Sequence, residues 1–269
     1  MPPITKTVLY EVKDKIATIT LNRPEVMNAM DPQTYEDLSN IWVEVRDNPD
    51  IWCAVITGAG DRAFTAGADL KANAARRAAG ENESTAWKLW QTQEGQILNR
   101  GLEVWKPIIA AINGYCLAGG WTLLMSTDVR IAVESAQLGI SEVKRGILPG
   151  NGGTQRTIQQ LPYPIAMWML LSGEWLTAQE ALQYGVINKV VKDRDELMAE
   201  ADRMAHILMA NGPLAVRCIK ELAVRGQYMP IEYGQRLEQA MSANLGRTDD
   251  AAEGPRAFAE KRKANFTGR

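Results

Sequence analysis

An α/β core followed by a helical C-terminal region is the fold class this chain predicts, on three observations. Short apolar or β-branched runs recur through the first two-thirds. Two glycine turns stand where such runs pass into helices. After Gly153 only helical periodicity remains. Residues 7–12 and 15–21 alternate and are β-branched, and the charged pair Lys13-Asp14 between them predicts a hairpin. Asp31 as N-cap and Pro32 at the first helical position open a helix over 32–45. The run 52–57 closes on Gly58-Ala59-Gly60-Asp61, as a buried strand ending in a loop. Residues 108–113 and 129–133 are two more such strands, with a helix over 119–127 between them. That order implies a βαβ unit in a mostly parallel sheet.

Beyond Gly153 the spacing predicts helices over 154–161, 165–171, 177–184, 196–211, 214–226 and 231–245. Thr177-Ala178-Gln179-Glu180 has capping-box spacing, and Asn211-Gly212-Pro213 stops one helix and starts the next. The chain therefore divides into a core over 1–195 and a helical region over 196–269. Residues 72–85, rich in Ala, Arg, Asn, Glu and Ser, are expected to be the most mobile segment.

The 269 residues suffice for one large domain, or one domain with a smaller appendage, and for a sizeable core. Lys plus Arg (30) nearly balance Asp plus Glu (32) and no basic stripe stands out, which argues against a nucleic-acid partner. Cys53, Cys116 and Cys218 are widely spaced and odd in number, matching neither a disulfide framework nor a zinc pattern. The single histidine, His206, falls in a helical stretch far from both glycine turns, where a surface or helix-edge position is expected. No apolar leader opens the chain, and Asn113, Gly114, Gly119 and Gly120 interrupt the long apolar stretch 108–125. A soluble cytoplasmic protein without a membrane span is expected.

Chemistry concentrates in three places. Phe64-Thr65-Ala66-Gly67-Ala68-Asp69-Leu70-Lys71 follows a strand and leads into a polar helix; Gly67 permits a tight turn whose amides face outward near a helix N-terminus. Leu117-Ala118-Gly119-Gly120-Trp121-Thr122 repeats the arrangement at the next junction. Two such turns can aim one amide each at a carbonyl oxygen, or be ordinary turns of an α/β domain. Glu142, just ahead of Pro149-Gly150-Asn151-Gly152-Gly153, is the candidate acid or base.

These residues resemble the crotonase, or enoyl-CoA hydratase/isomerase, superfamily. The match runs through Leu21-Asn22-Arg23-Pro24 with Asn28-Ala29, the 64–70 turn, Ala111-Ile112-Asn113-Gly114-Tyr115, Gly119-Gly120 and Asp128. It continues through Pro149-Gly150 with Gly152-Gly153-Thr154-Gln155-Arg156, Gly185-Val186-Ile187-Asn188, and Phe258 with Glu260-Lys261-Arg262. The resemblance implies a crotonase-like ββα spiral core and a helical C-terminal trimerisation region, as a homotrimer or dimer of trimers. It further implies an acyl-CoA thioester substrate, with coenzyme A as part of the substrate and no separate cofactor or metal. By position, the thioester oxygen would sit between the amides of Ala68 and Gly119. Arg23, Val26, Ala66 and Lys71 would meet the CoA, and Lys261 would do so from a neighbouring subunit.

One departure stands out. Hydratases of this family carry two glutamates, at the positions of Glu142 and Thr122; here the second is a threonine. A hydroxyl can position water, but its pKa is far too high for a general base near neutrality. Syn hydration by two carboxylates is therefore expected to be impaired, and double-bond isomerisation by Glu142 alone is slightly preferred. A hydratase or lyase using Thr122-positioned water, or a CoA-binding protein of low turnover, stands as the alternative. Glu103 is a carboxylate that folding could bring near. Trp87 and Trp90 lie at helical spacing, as core or as acyl-pocket walls, and Trp121 is expected to make the Thr122 side of the pocket apolar.

Overall fold

The computed structural model describes residues 6–79 and 97–269. Strands β1 (Val8–Lys13) and β2 (Ile16–Leu21) form the expected hairpin, antiparallel from Val8 opposite Leu21 to Lys13 opposite Ile16. Helix α1 (Pro32–Asp47) starts as its sequence dictates: the Asp31 side chain accepts from the Thr34 amide at 2.8 Å, with Pro32 in the first turn.

Three successive units then repeat one pattern, a strand in a large sheet followed by a very short strand in a second sheet. They are β3 (Cys53–Gly58) with β4 (Ala63–Thr65), β5 (Ile108–Ile112) with β6 (Tyr115–Leu117), and β7 (Val129–Val133) with β8 (Gln137–Gly139). Helix α2 (Leu70–Ala78) follows the first pair, α3 (Gly119–Leu124) the second, and a 3-10 turn at Glu142–Arg145 with α4 (Gly153–Gln160) the third. With β9 (Trp175–Thr177) and β10 (Lys189–Val191), the large sheet runs β1-β2-β3-β5-β7-β10 and the small one β4-β6-β8-β9. Strands β2, β3, β5, β7 and β10 are parallel, as are β4, β6 and β8. This is a spiral of ββα turns.

Every residue of β3 and β5 is buried, which is why they appear in the sequence as continuous apolar runs rather than alternating ones. Helix α5 (Tyr163–Ser172) follows α4, and α6 (Ala178–Gln183) carries the predicted capping box between Thr177 and Glu180. Helix α7 (Arg194–Met209) packs across β3, β5 and β7 through Leu197, Ala201 and Ala205. Helices α8 (Pro213–Gly226) and α9 (Ile231–Leu245) bury only Pro213 between them within the chain. Helix α10 (Asp249–Ala259) is an addition to the sequence expectation; Pro255 inside it masked its periodicity.

His206 lies exposed on α7 beside Asp202, away from the glycine turns. Cys53 and Cys116 are buried and Cys218 half-buried, all as free thiols. No described helix is long and apolar enough to cross a membrane.

Candidate active site

Because β4, β6 and β8 run parallel, their C-terminal ends share one edge of the small sheet, and each end delivers one part of the site. After β4 comes the Ala66–Asp69 turn. Its backbone is held by a parallel bridge in which the Met30 amide donates to Gly67 O at 2.7 Å and the Asp69 amide to Met30 O at 3.0 Å. Those bonds use the residues flanking Ala68, so the Ala68 amide faces the other way. Gly67 has φ +90, and a Cβ on it would lie 2.7 Å from the Gly119 nitrogen, so only glycine lets the two turns approach this closely.

After β6, Ala118 adopts φ 52 and ψ −117, a strained conformation for a residue with a Cβ, pinned by its own amide donating to Gly139 O at 2.8 Å. The strain turns the first amide of α3, Gly119, toward the Ala66–Asp69 turn. A Cβ on Gly119 would sit 3.4 Å from the Ala68 nitrogen. Among the described residues neither the Ala68 nor the Gly119 amide donates to a protein acceptor. Two unpaired donors side by side can receive an anion or a developing oxyanion.

After β8, Glu142 opens the 3-10 turn Glu142–Arg145. Its Oε2 is buried with no hydrogen-bond partner. Burial pushes its carboxyl above the ordinary value; its own amide, the Arg145 charge and the Ser141 amide pull partly back. A desolvated carboxylate with an open oxygen can accept a proton.

These parts line one cavity of about 330 Å³, walled by Ala66, Ala68, Leu117, Ala118, Gly119, Thr122, Glu142, Arg145, Leu148 and Trp175 among others. Thr122 is 1% exposed, and its hydroxyl reaches only Ala118 O, at 3.4 Å. A Cβ on Gly153 would lie 2.9 Å from that hydroxyl, so the glycine keeps the space beside Thr122 open. Glu142 is the only carboxylate in the described lining. Glu103 does not join it, being held by Arg225 at 2.8 Å in a larger cavity of about 520 Å³ under α8. Charged groups in that larger cavity are engaged, Lys220 with Asp128 at 2.6 Å and Arg130 with the neutral oxygens of Gln160 at 2.7 Å, Thr127 at 2.9 Å and Val186 at 3.1 Å. Among its described lining residues both carboxylates, Glu103 and Asp128, are held in ion pairs.

Trp121 requires a correction. Expected as a wall of the acyl pocket, it is fully buried in the core with its Nε1 donating to Thr157 at 2.8 Å, and it does not line the cavity. Neighbouring helical residues diverge by about 100°, so with Thr122 facing the cavity, Trp121 faces α4. Trp87 and Trp90 lie outside the described residues.

The Arg23 guanidinium is committed to Asp69 at 3.0 Å, Asp31 at 3.4 Å and Ala29 O at 2.6 Å, tying the 23–31 loop to the Ala66–Asp69 turn. Val26 is exposed at the end of the 3-10 turn Pro24–Val26, and Ala66, whose amide donates to Met27 O at 3.0 Å, joins that turn to the cavity. Lys71 is exposed in the first turn of α2, next to the cavity residue Leu70. Lys261, exposed at φ 55 beyond α10, is not brought to this cavity.

Arg145, Trp175, Tyr35 and Leu148 are cavity residues that sequence inspection missed. Trp175 arrives through the antiparallel pairing of β9 with β8, which sets it opposite Gly139. Only a tertiary contact reveals it.

The Enoyl-CoA hydratase/isomerase family profile matches residues 11–269. An (E)-benzylidenesuccinyl-CoA hydratase of Thauera aromatica is 40% identical over 97% of this chain and 99% of its own. A crotonyl-CoA hydratase of Syntrophomonas wolfei is 36% identical over 97% and 98%. The crystal structure of an enoyl-CoA hydratase from Mycobacterium tuberculosis H37Rv matches with a TM-score of 0.88 at 32% identity, over 98% of this chain and 100% of that one. By that profile match and those relatives, this chain belongs to the enoyl-CoA hydratase/isomerase family of acyl-CoA enzymes.

Proposed function

We propose that the enzyme adds water reversibly to the double bond of a 2-enoyl-CoA thioester, with Glu142 as its single acid/base group. The observation that carries this is the buried, unpartnered Oε2 of Glu142 in one cavity with the free amides of Ala68 and Gly119. The amides would receive the thioester oxygen and stabilise the enolate that forms when C3 is attacked. Thr122 would hold the attacking water through its hydroxyl. Glu142 would take one proton from that water as its oxygen bonds to C3, then return the proton to C2. The relatives' hydratase activity supports this reading.

Isomerisation is the second reading, and the lone carboxylate favours it. Glu142 would carry a proton between C2 and C4, and Thr122 would hold no essential water. Incubating the enzyme with matched 2-enoyl- and 3-enoyl-CoA thioesters separates the two. Rapid hydration of the 2-enoyl thioester, lost by one to two orders of magnitude in Thr122→Ala, is expected. Interconversion of the two thioesters, insensitive to Thr122→Ala, would establish isomerisation instead.

The CoA moiety is proposed to lie along the 23–26 turn and Lys71, Arg23 acting through its neighbouring backbone because its guanidinium is engaged. A trimer is likewise proposed, completed at the CoA site by Lys261 of a neighbouring copy. Its support is the apolar surface left on α8 and α9, with Ile219 66% and Ile231 70% exposed. A monomeric mass by light scattering would refute it.

A further inference from the structure

Among the described residues the cavity lining holds one cation, Arg145, and the proton transfers just described do not use it. Among the described residues its guanidinium donates only from Nη1, to Ser141 O at 3.3 Å and Ser141 Oγ at 3.5 Å. Nε and Nη2 remain open, and no carboxylate is paired with it. Its neighbours differ. Lys144 is bound to Glu174 at 2.7 Å, and Arg156 to Asn151 O at 2.7 Å and Asn99 O at 3.3 Å.

Placement follows from the local backbone. Glu142–Arg145 is a 3-10 turn, in which residues three apart project from the same face. Glu142 and Arg145 therefore look into the cavity together, one step apart. They do not pair directly, although the guanidinium charge is near enough to favour the ionised form of Glu142. Arg145 stands at the exposed rim of the cavity, beside the apolar side chains of Leu117, Ile147, Leu148 and Trp175 and the polar Tyr35, Ser141 and Asn151. In such surroundings an arginine's planar fork of donors is selective for a carboxylate and is left underused by a hydrocarbon.

We propose, on the reading of the site given above, that Arg145 is a specificity-determining residue that binds a carboxylate carried by the acyl group. The preferred substrates are then CoA thioesters of unsaturated acyl groups bearing a second carboxyl group. Their thioester oxygen sits at Ala68 and Gly119, their reacting carbons at Glu142, and their free carboxylate at Arg145. Trp175 and Leu148 take the apolar remainder.

The test is steady-state kinetics of the full chain on two 2-enoyl-CoA thioesters of equal length, one ending in a carboxylate and the other in its methyl ester. Wild type should prefer the carboxylate in kcat/KM. Arg145→Met should lower that preference by about two orders of magnitude, chiefly through KM, and Arg145→Lys should restore part of it. Equal losses on both thioesters in Arg145→Met, with a shifted pH profile, would overturn the proposal and make Arg145 a group acting through Glu142. A wild-type preference for the ester would overturn it too. Turnover of neither thioester, nor of any 2- or 3-enoyl-CoA, would instead remove the underlying reading, and this proposal with it.

Discussion

Two glutamates in different regions of this molecule are withdrawn from water and respond in opposite ways. Glu142, at the end of the small sheet, has a buried oxygen without a partner, and burial raises its pKa. Glu253, 6% exposed on α10, accepts from Arg262 at 2.6 and 2.9 Å, from Arg256 at 2.5 Å and from the Asn265 amide at 2.9 Å. Those donors, Arg262 first, hold its carboxyl well below the usual range. Burial alone favours the proton; charge-assisted donors reverse it. The C-terminal tail uses its glutamate as a clamp, whereas the candidate-site edge leaves its glutamate with an oxygen short of partners.

The largest effect expected from this contrast is on turnover. Glu142→Gln keeps the shape and removes the basic oxygen, so activity on the best enoyl-CoA should fall by about three orders of magnitude. Full activity in a folded Glu142→Gln protein would end the catalytic assignment and, with it, the functional half of the comparison.

Glu253→Gln should do the reverse. It leaves Arg256 without a counter-charge and Arg262 with Glu260 alone, and it loosens the tail, which Asp250 also grips through the Thr267 and Gly268 amides at 2.7 and 2.9 Å. A melting temperature lower by several degrees is expected, with faster proteolysis after residue 260 and turnover reduced far less than in Glu142→Gln. An unchanged melting temperature would show that the network around Glu253 is too solvated to act as a clamp.

How far each region could be read from sequence follows from the range of the interactions that build it. Strands β3, β5 and β7 were legible because parallel strands covered on both faces are apolar runs. Their partners Ala63–Thr65, Tyr115–Leu117 and Gln137–Gly139 were not, since three residues carry no periodicity and these strands exist through pairing with one another. The two glycine turns showed in composition because close approach leaves room only for glycine. The direction of Trp121 did not show, because a six-residue helix gives no sign of which face meets the cavity. Arg23 belonged to a recognisable motif, yet its guanidinium is spent on Asp31 and Asp69, which lie apart in sequence. Arg145 and Trp175 reach the site by a 3-10 turn and an antiparallel pairing that local propensity does not encode.

The smallest expected effect is the sharpest test of the comparison, because it separates the two glutamates by sign. The folded-state pKa of Glu142 is raised above its ordinary value of 4.5, so the folded protein holds that proton more tightly than the unfolded chain. Its stabilising contribution is present below the unfolded pKa and is lost as pH rises through the folded one. At neutral pH the ionised carboxylate therefore opposes folding, and the uncharged Gln at position 142 removes that opposition. Glu142→Gln should melt above wild type by about one or two degrees at pH 7, the gain fading as pH falls through the raised folded pKa and gone below about 4.5. For Glu253 the folded pKa is depressed, so its contribution is present at neutral pH and is lost only as pH falls below the usual carboxylate range. The Glu253→Gln deficit should accordingly be full at pH 7 and shrink toward strong acid. Melting curves of both variants and wild type, taken from pH 7 down to pH 3, decide the matter. If Glu142→Gln melts below wild type at pH 7, the open oxygen has a partner in solution and the two carboxylates are not opposites.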